Sequence, residues 1–167
     1  MSGSSARASS SGALASAVGA CRSSQAFMEA LALIYSGGDD AVASRSLSCR
    51  ACGRCCKFDQ AGHRLFVSTG ELALLSMAPL PQATWLESRC PYQIDDRCTA
   101  RRHRPLGCRV YFCNAPEQWD DLYETLHGQI RQLHQSSHVP YAYVEMTAAV
   151  RILSDFFKTT LAARADK

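Results

Sequence analysis

No apolar run in this chain approaches the 18 or so residues that a membrane-crossing helix needs, so the sequence holds no candidate span. No Ser/His/Asp set, phosphate-cradling loop or H-E-x-x-H pattern is present, and with them goes any independent sign of hydrolysis or phosphoryl transfer. The βαβ alternation that frames a thioredoxin-like C-x-x-C is missing, and no internal repeat is convincing. Acid is absent from the first 24 residues, which are rich in Ser, Ala and Gly. Such a composition offers little apolar surface to bury, so residues 1–24 are expected to be a disordered tail. The same features suit a transit peptide, and Val18-Gly19-Ala20-Cys21 faintly resembles a lipoprotein cleavage site. The only positive flank there is Arg7 and the stretch before Cys21 is weakly apolar, so the tail reading leads and Cys21 is an ordinary thiol. With neither a span nor a favoured export signal, a cytoplasmic location is expected.

What the chain has in abundance is cysteine. Cys49-Arg50-Ala51-Cys52-Gly53-Arg54-Cys55-Cys56 puts four thiols in eight residues, and Cys90, Cys98, Cys108 and Cys113 follow. A C-x-x-C step lets two sulfurs reach one metal from a tight turn, and Gly53 supplies the positive φ that such a turn favours. The doublet Cys55-Cys56 is unusual, because adjacent side chains diverge by about 100° on a helix and by more in a strand. One of the two is therefore expected to serve a second metal, bridge a cluster or remain spare. Disulfides are the competing reading, but disulfide scaffolds are usually shorter and lack long amphipathic helices. A metal site formed jointly by Cys49, Cys52, Cys55, Cys56, Cys90, Cys98, Cys108 and Cys113 is the expectation.

The apolar fraction of 47% can build a core without help from metal. The net charge of +3 is mild but unevenly spread. Residues 49–109 hold ten Lys/Arg against five Asp/Glu, while the region from Val110 onward holds five against seven. Four thiolates around Zn²⁺ or a [4Fe–4S]²⁺ cube leave about −2 on the assembly, which nearby arginines offset. The arginines alternate with the cysteines instead of forming a separate stripe. Charge compensation is thus favoured over a nucleic-acid patch at residues 97–104, with Arg104 and Arg109 as the cofactor-side residues.

The expected fold is mainly α, with an irregular cysteine-rich metal-binding core and few short strands. Residues 25–167 form one domain, with the cysteine core at 49–113 and a helical C-terminal part at 117–164. A first helix is expected over 25–35, ended by Ser36-Gly37-Gly38, and a short strand at 64–67. Ser68-Thr69-Gly70-Glu71 reads as a capping box starting a helix that stops before Pro79, with Leu72 and Leu75 toward the metal core. Pro116-Glu117 opens a long helix to about Gln135 with Trp119, Tyr123, Leu126, Ile130 and Leu133 on one face. A last helix over 144–161 carries Ile152, Leu153, Phe156 and Phe157 inward. His63 and His103 are near enough to be alternative ligands, though a structural role is favoured for each. His127, His134 and His138 are expected to face solvent. Tyr141, Tyr143 and Glu145 could line a pocket beside the core, with packed aromatics and a solvated acid the favoured reading.

Cys49-x-x-Cys52-Gly53-x-Cys55-Cys56, then Cys90-Pro91, Cys98 and Arg104-Pro105-x-x-Cys108-Arg109, resembles the bacterial CxxCxxCC cysteine-cluster family over residues 49–113. That family is described as chelating zinc or iron and includes relatives of flagellin lysine N-methylases. The resemblance implies a metal site; methyl transfer is not carried over, since no glycine-rich methyl-donor loop is present. Zinc and iron–sulfur clusters both accept four cysteines. The spacing differs from the ferredoxin run, and the wide gaps of the second half differ from the paired C-x-x-C of zinc sites. The doublet and the arginine-rich surroundings favour an iron–sulfur cluster, with zinc the alternative. The leading function is a cluster-bearing protein that passes electrons to, or serves, a partner enzyme. A zinc-stabilised protein- or nucleic-acid-binding module is the alternative, and an enzyme with an open metal position is the third class.

Overall fold

The computed structural model describes residues 3–45, 47, 49–81, 88–112, 120–154 and 157. The protein is mainly helical with a few short strands, as the patterning requires. None of its described helices is long and apolar enough to cross a membrane.

Two N-terminal helices run in sequence, α1 (Gly3–Ser23) and α2 (Gln25–Ser44), separated by Ser24, whose hydroxyl accepts the N–H of Phe27 as an N-cap. The stretch expected to be a disordered tail is therefore helical. Its apolar residues are few but sit at one helical spacing: Leu14, Ala17, Val18 and Cys21 form a stripe. Val18 and Cys21 are fully buried, and α1 packs on the helix that follows Ser68. A composition read residue by residue hides such a stripe.

Helix α2 also runs past the point where Gly37 and Gly38 were expected to end it. Phe27, Leu31, Tyr35 and Gly38 are its buried face. A Cβ at position 38 would stand 2.8 Å from Leu126 Cδ1, so the glycine lets α2 lie close against the long C-terminal helix. Packing here outweighs the low helix propensity of glycine.

After the cysteine run come α3 (Phe58–Ala61), β1 (Phe66–Ser68) and α4 (Thr69–Leu75). The expected capping box is present: Ser68 accepts from the N–H of Glu71, and Glu71 accepts the N–H of Ser68 at 2.7 Å. Strand β1 pairs antiparallel with β4 (Tyr143–Glu145), in the register Phe66↔Glu145, Val67↔Val144 and Ser68↔Tyr143. Each of these strands ends in the residue that caps the next helix. Ser68 caps α4, and Glu145 caps α7 (Met146–Ile152) by accepting the N–H groups of Thr147 and Ala148. Glu145 is a cap, not a solvated acid.

Between the two strand–helix units, residues 90–112 are more ordered than the expected irregular loops. Strands β2 (Gln93–Ile94) and β3 (Arg97–Cys98) form a hairpin around Asp95-Asp96, both at positive φ, as a tight two-residue turn requires. The short helix α5 (Leu106–Val110) follows, then α6 (Asp120–Ser136). Helix α6 buries Leu122, Leu126, Ile130 and His134, and Tyr123 and Leu133 are partly buried beside them. Its expected opening at Pro116-Glu117, and Trp119, lie outside the described residues. Beyond α7, Leu153 and Phe157 are buried as expected, whereas Ile152 is exposed and Phe156 lies outside the described residues.

Candidate metal centre

The two halves of the cysteine set are fastened together by backbone and side-chain bonds. Arg54–Cys56 forms a single 3₁₀ turn, entered through Gly53 at φ 68°. Any Cβ on Gly53 would run into the carbonyl oxygen of Asp96 and stand 2.5 Å from Gln93 Nε2. That amide donates to the Gly53 carbonyl at 2.9 Å, and Lys57 pairs with Asp96 at 2.9 Å. Cys90 N–H donates to the Cys56 carbonyl at 2.7 Å. The hairpin thus presses its turn onto the C-x-x-C loop, and only glycine leaves the room.

One cavity of about 260 Å³ opens where these segments meet. Cys49, Cys55 and Cys56 reach it from the first run, Cys90 and Cys98 from the hairpin, and Cys108 from α5. Cys52 is exposed and does not line it, and Cys113 lies outside the described residues. Cys55 and Cys56, at successive positions of the 3₁₀ turn, both line the cavity. All eight described cysteines are free thiols.

Burial and contact with one another govern the ionisation of these thiols. Contact with Cys56, then desolvation, pushes Cys55 well above the ordinary thiol range. The Cys55 contact pulls Cys56 down, but its contact with Cys90 and its burial leave it at about 12. Burial raises Cys98 and, more strongly, Cys108, which also feels the neighbouring cysteines. The guanidinium of Arg104 opposes the rise at Cys55, Cys98 and Cys108, and that of Arg101 opposes it at Cys98. Both arginines line the cavity.

Arg109 does not. Its Nη1 bonds Asp39 at 2.7 Å, Nη2 donates to the Arg102 carbonyl and Nε to that of Arg104, and its guanidinium lies 4.4 Å over the Tyr35 ring. It ties the arginine-rich segment to α2, so of the two arginines expected beside a cofactor only Arg104 lines the cavity. Of the histidines, His63 lines the cavity, its ring edge-on to Phe58 and tilted against Tyr111. His103 ends a 3₁₀ turn, half-buried, and does not line the cavity. His134 is buried, contrary to expectation, with Phe27 4.8 Å and Tyr141 5.2 Å from its ring and Nδ1 on the Val139 carbonyl.

Three residues outside the cysteine pattern also shape the site. Glu71 is buried, and its Oε1 accepts the N–H of Leu106 at 2.8 Å, fixing the start of the helix that carries Cys108. Tyr92 forms part of the wall and donates to the Leu75 carbonyl. Leu75 lines the cavity too, as expected of the α4 face. So do Tyr123 and Tyr143, whose hydroxyls are 2.5 Å apart. Only sequence-distant contacts reveal Glu71 and the tyrosine pair, whereas the two acids between Ile94 and Arg97 are a local turn signal.

In kind, this donor set fits a thiophilic metal: six lining cysteines come from three chain segments, and Arg101 and Arg104 stand beside them. Among the described residues no three His, Cys, Asp or Glu side chains are already grouped to hold an ion. Metal binding would exchange the thiol protons and their hydrogen bonds for metal–sulfur bonds. Comparison with family models, curated proteins and solved structures found no match for this chain.

Proposed function

We propose that the chain is a metal-binding cysteine-cluster protein whose centre is an iron–sulfur cluster, acting in electron transfer or as partner to another enzyme. The observation that carries this reading is the convergence of Cys55, Cys56, Cys90, Cys98 and Cys108 on one cavity beside Arg104. The adjacent Cys55 and Cys56 and the arginines beside them favour a negatively charged cluster over a single zinc ion. Such a group would supply one-electron chemistry, and Arg101 and Arg104 would offset its negative charge and raise its potential. The resemblance of the cysteine run to the CxxCxxCC family supports a metal site, zinc or iron alike. Anaerobic purification followed by an absorption spectrum and assays of iron, sulfide and zinc is the test. Brown protein with iron and sulfide is expected. Colourless protein with stoichiometric zinc would replace the cluster by a zinc-stabilised module, and absence of all three would overturn the metal reading.

A further inference from the structure

The cysteines supply only part of the cavity lining. Phe66, Tyr123, Tyr143, Leu65 and Met146 supply another part, carried by β1, α6 and β4 with their flanking residues. We propose that this part binds a small planar aromatic molecule of one or two rings bearing a hydroxyl or carbonyl, held beside the cysteine centre.

Shape, access and order each point that way. The cavity is lined by Leu65, Phe66, Tyr123, Tyr143 and Met146 as well as by cysteines, more wall than a single metal ion contacts. Its volume is near the lower end of ligand pockets, which suits a fragment-sized molecule and not an extended cofactor. Phe66 and Tyr143 line the cavity yet remain 43% and 41% exposed, so their rings form a mouth open to solvent. The two rings are 5.6 Å apart and tilted by 30°, a tilted aromatic pair against which a third ring can pack. Order comes from the β1–β4 ladder and from His127, whose ring is 4.7 Å from that of Tyr143. Little rotamer freedom is then left to lose on binding. Gly107 lets α5 come close enough to close the floor: a Cβ there would stand 2.9 Å from Leu65 Cδ1. The Tyr123–Tyr143 hydroxyl pair is the polar handle in this otherwise apolar part, placed to meet a ligand's oxygen.

The proposal rests on the metal reading only for what stands next to the ligand, and the two can fail separately. The probe is 1-naphthol, titrated calorimetrically into the protein as purified anaerobically, with decahydro-1-naphthol as its saturated counterpart. Metal content is measured on the same sample. Stacking should favour 1-naphthol by roughly two- to tenfold. Tyr143→Leu should erase that preference while Tyr143→Phe keeps it. Equal affinity for the two compounds, no binding of either, or an unchanged preference in Tyr143→Leu would overturn the aromatic site whatever the metal content. The preference in metal-free protein would uphold the site and remove the cluster beside it.

Discussion

Glu71 Oε1 accepts the backbone N–H of Leu106 at 2.8 Å, so the helix bearing Cys108 begins on a buried carboxylate of α4. The same oxygen receives the Tyr35 hydroxyl at 3.4 Å, and Oε2 receives the N–H of Ser68. Three segments far apart in the chain thus share one side chain. Tyr35 in turn lies under the guanidinium of Arg109, which extends the link to the R-P-x-x-C-R element.

Replacing Glu71 by Gln keeps the shape but turns an amide N–H₂ toward one of these donors. A buried donor left unmatched costs about 1–3 kcal/mol. Glu71→Gln should lower the unfolding free energy by that amount, shifting the urea midpoint down, and reduce metal content, since α5 loses its fixed start. A midpoint equal to that of the parent protein would show that the carboxylate is dispensable.

Gly53 and Gly62 share nearly the same φ, 68° and 69°, but differ in surroundings. Nothing lies within 4 Å of a Cβ at Gly62, whereas one at Gly53 meets the Asp96 carbonyl. Gly62→Ala should cost about 1 kcal/mol from backbone strain alone. Gly53→Ala should cost clearly more and should also release the hairpin from the cysteine run, seen as loss of metal. Equal costs in equilibrium unfolding would remove the steric role given to Gly53.

Helix α1 is part of the core, so its removal should not be silent. Val18→Ala should destabilise by about 2 kcal/mol, the scale of a buried large-to-small change. Deleting residues 1–23 uncovers the α4 face and should shift the melting temperature down by many degrees. A truncated protein with the parent's melting temperature would show that α1 contributes nothing.

His134 provides a pH dependence with a definite sign. Burial lowers its pKa, and among the described residues its Nε2 has no hydrogen-bond partner. The folded state therefore favours the neutral ring. Its contribution is fully present above the ordinary histidine value of about 6.5 and is lost as pH falls through the depressed folded value. Urea unfolding should show stability falling as pH drops below about 6.5, and His134→Met should flatten that fall. An identical slope in the variant would assign the effect elsewhere.

Local signals were legible in the sequence, and distant ones were not. S-T-G-E encodes its own helix start, and Leu126 and Ile130 mark the inner face of α6 by spacing alone. The convergence of the early and late cysteines follows from neither half being complete. By contrast, the Leu14–Cys21 stripe is thin against its Ser/Ala background, and Gly38 looks like a helix end until Leu126 is seen against it. Arg109 has the same sequence context as Arg104, yet Asp39 on α2, 70 residues away, takes its charge. Glu71 was visible as a cap and invisible as the anchor of Leu106, because a capping box says nothing about what else a carboxylate accepts.

The cavity thiols as the metal centre can be tested most directly by metal analysis of three isosteric variants purified anaerobically, Cys56→Ser, Cys108→Ser and Cys21→Ser. Cys56 and Cys108 line the cavity, whereas Cys21 is buried in α1 among other elements. Iron and sulfide should fall to a small fraction of the parent value in the first two and stay at the parent value in Cys21→Ser. Full metal content in Cys56→Ser and Cys108→Ser, with unchanged helical circular dichroism, would contradict it.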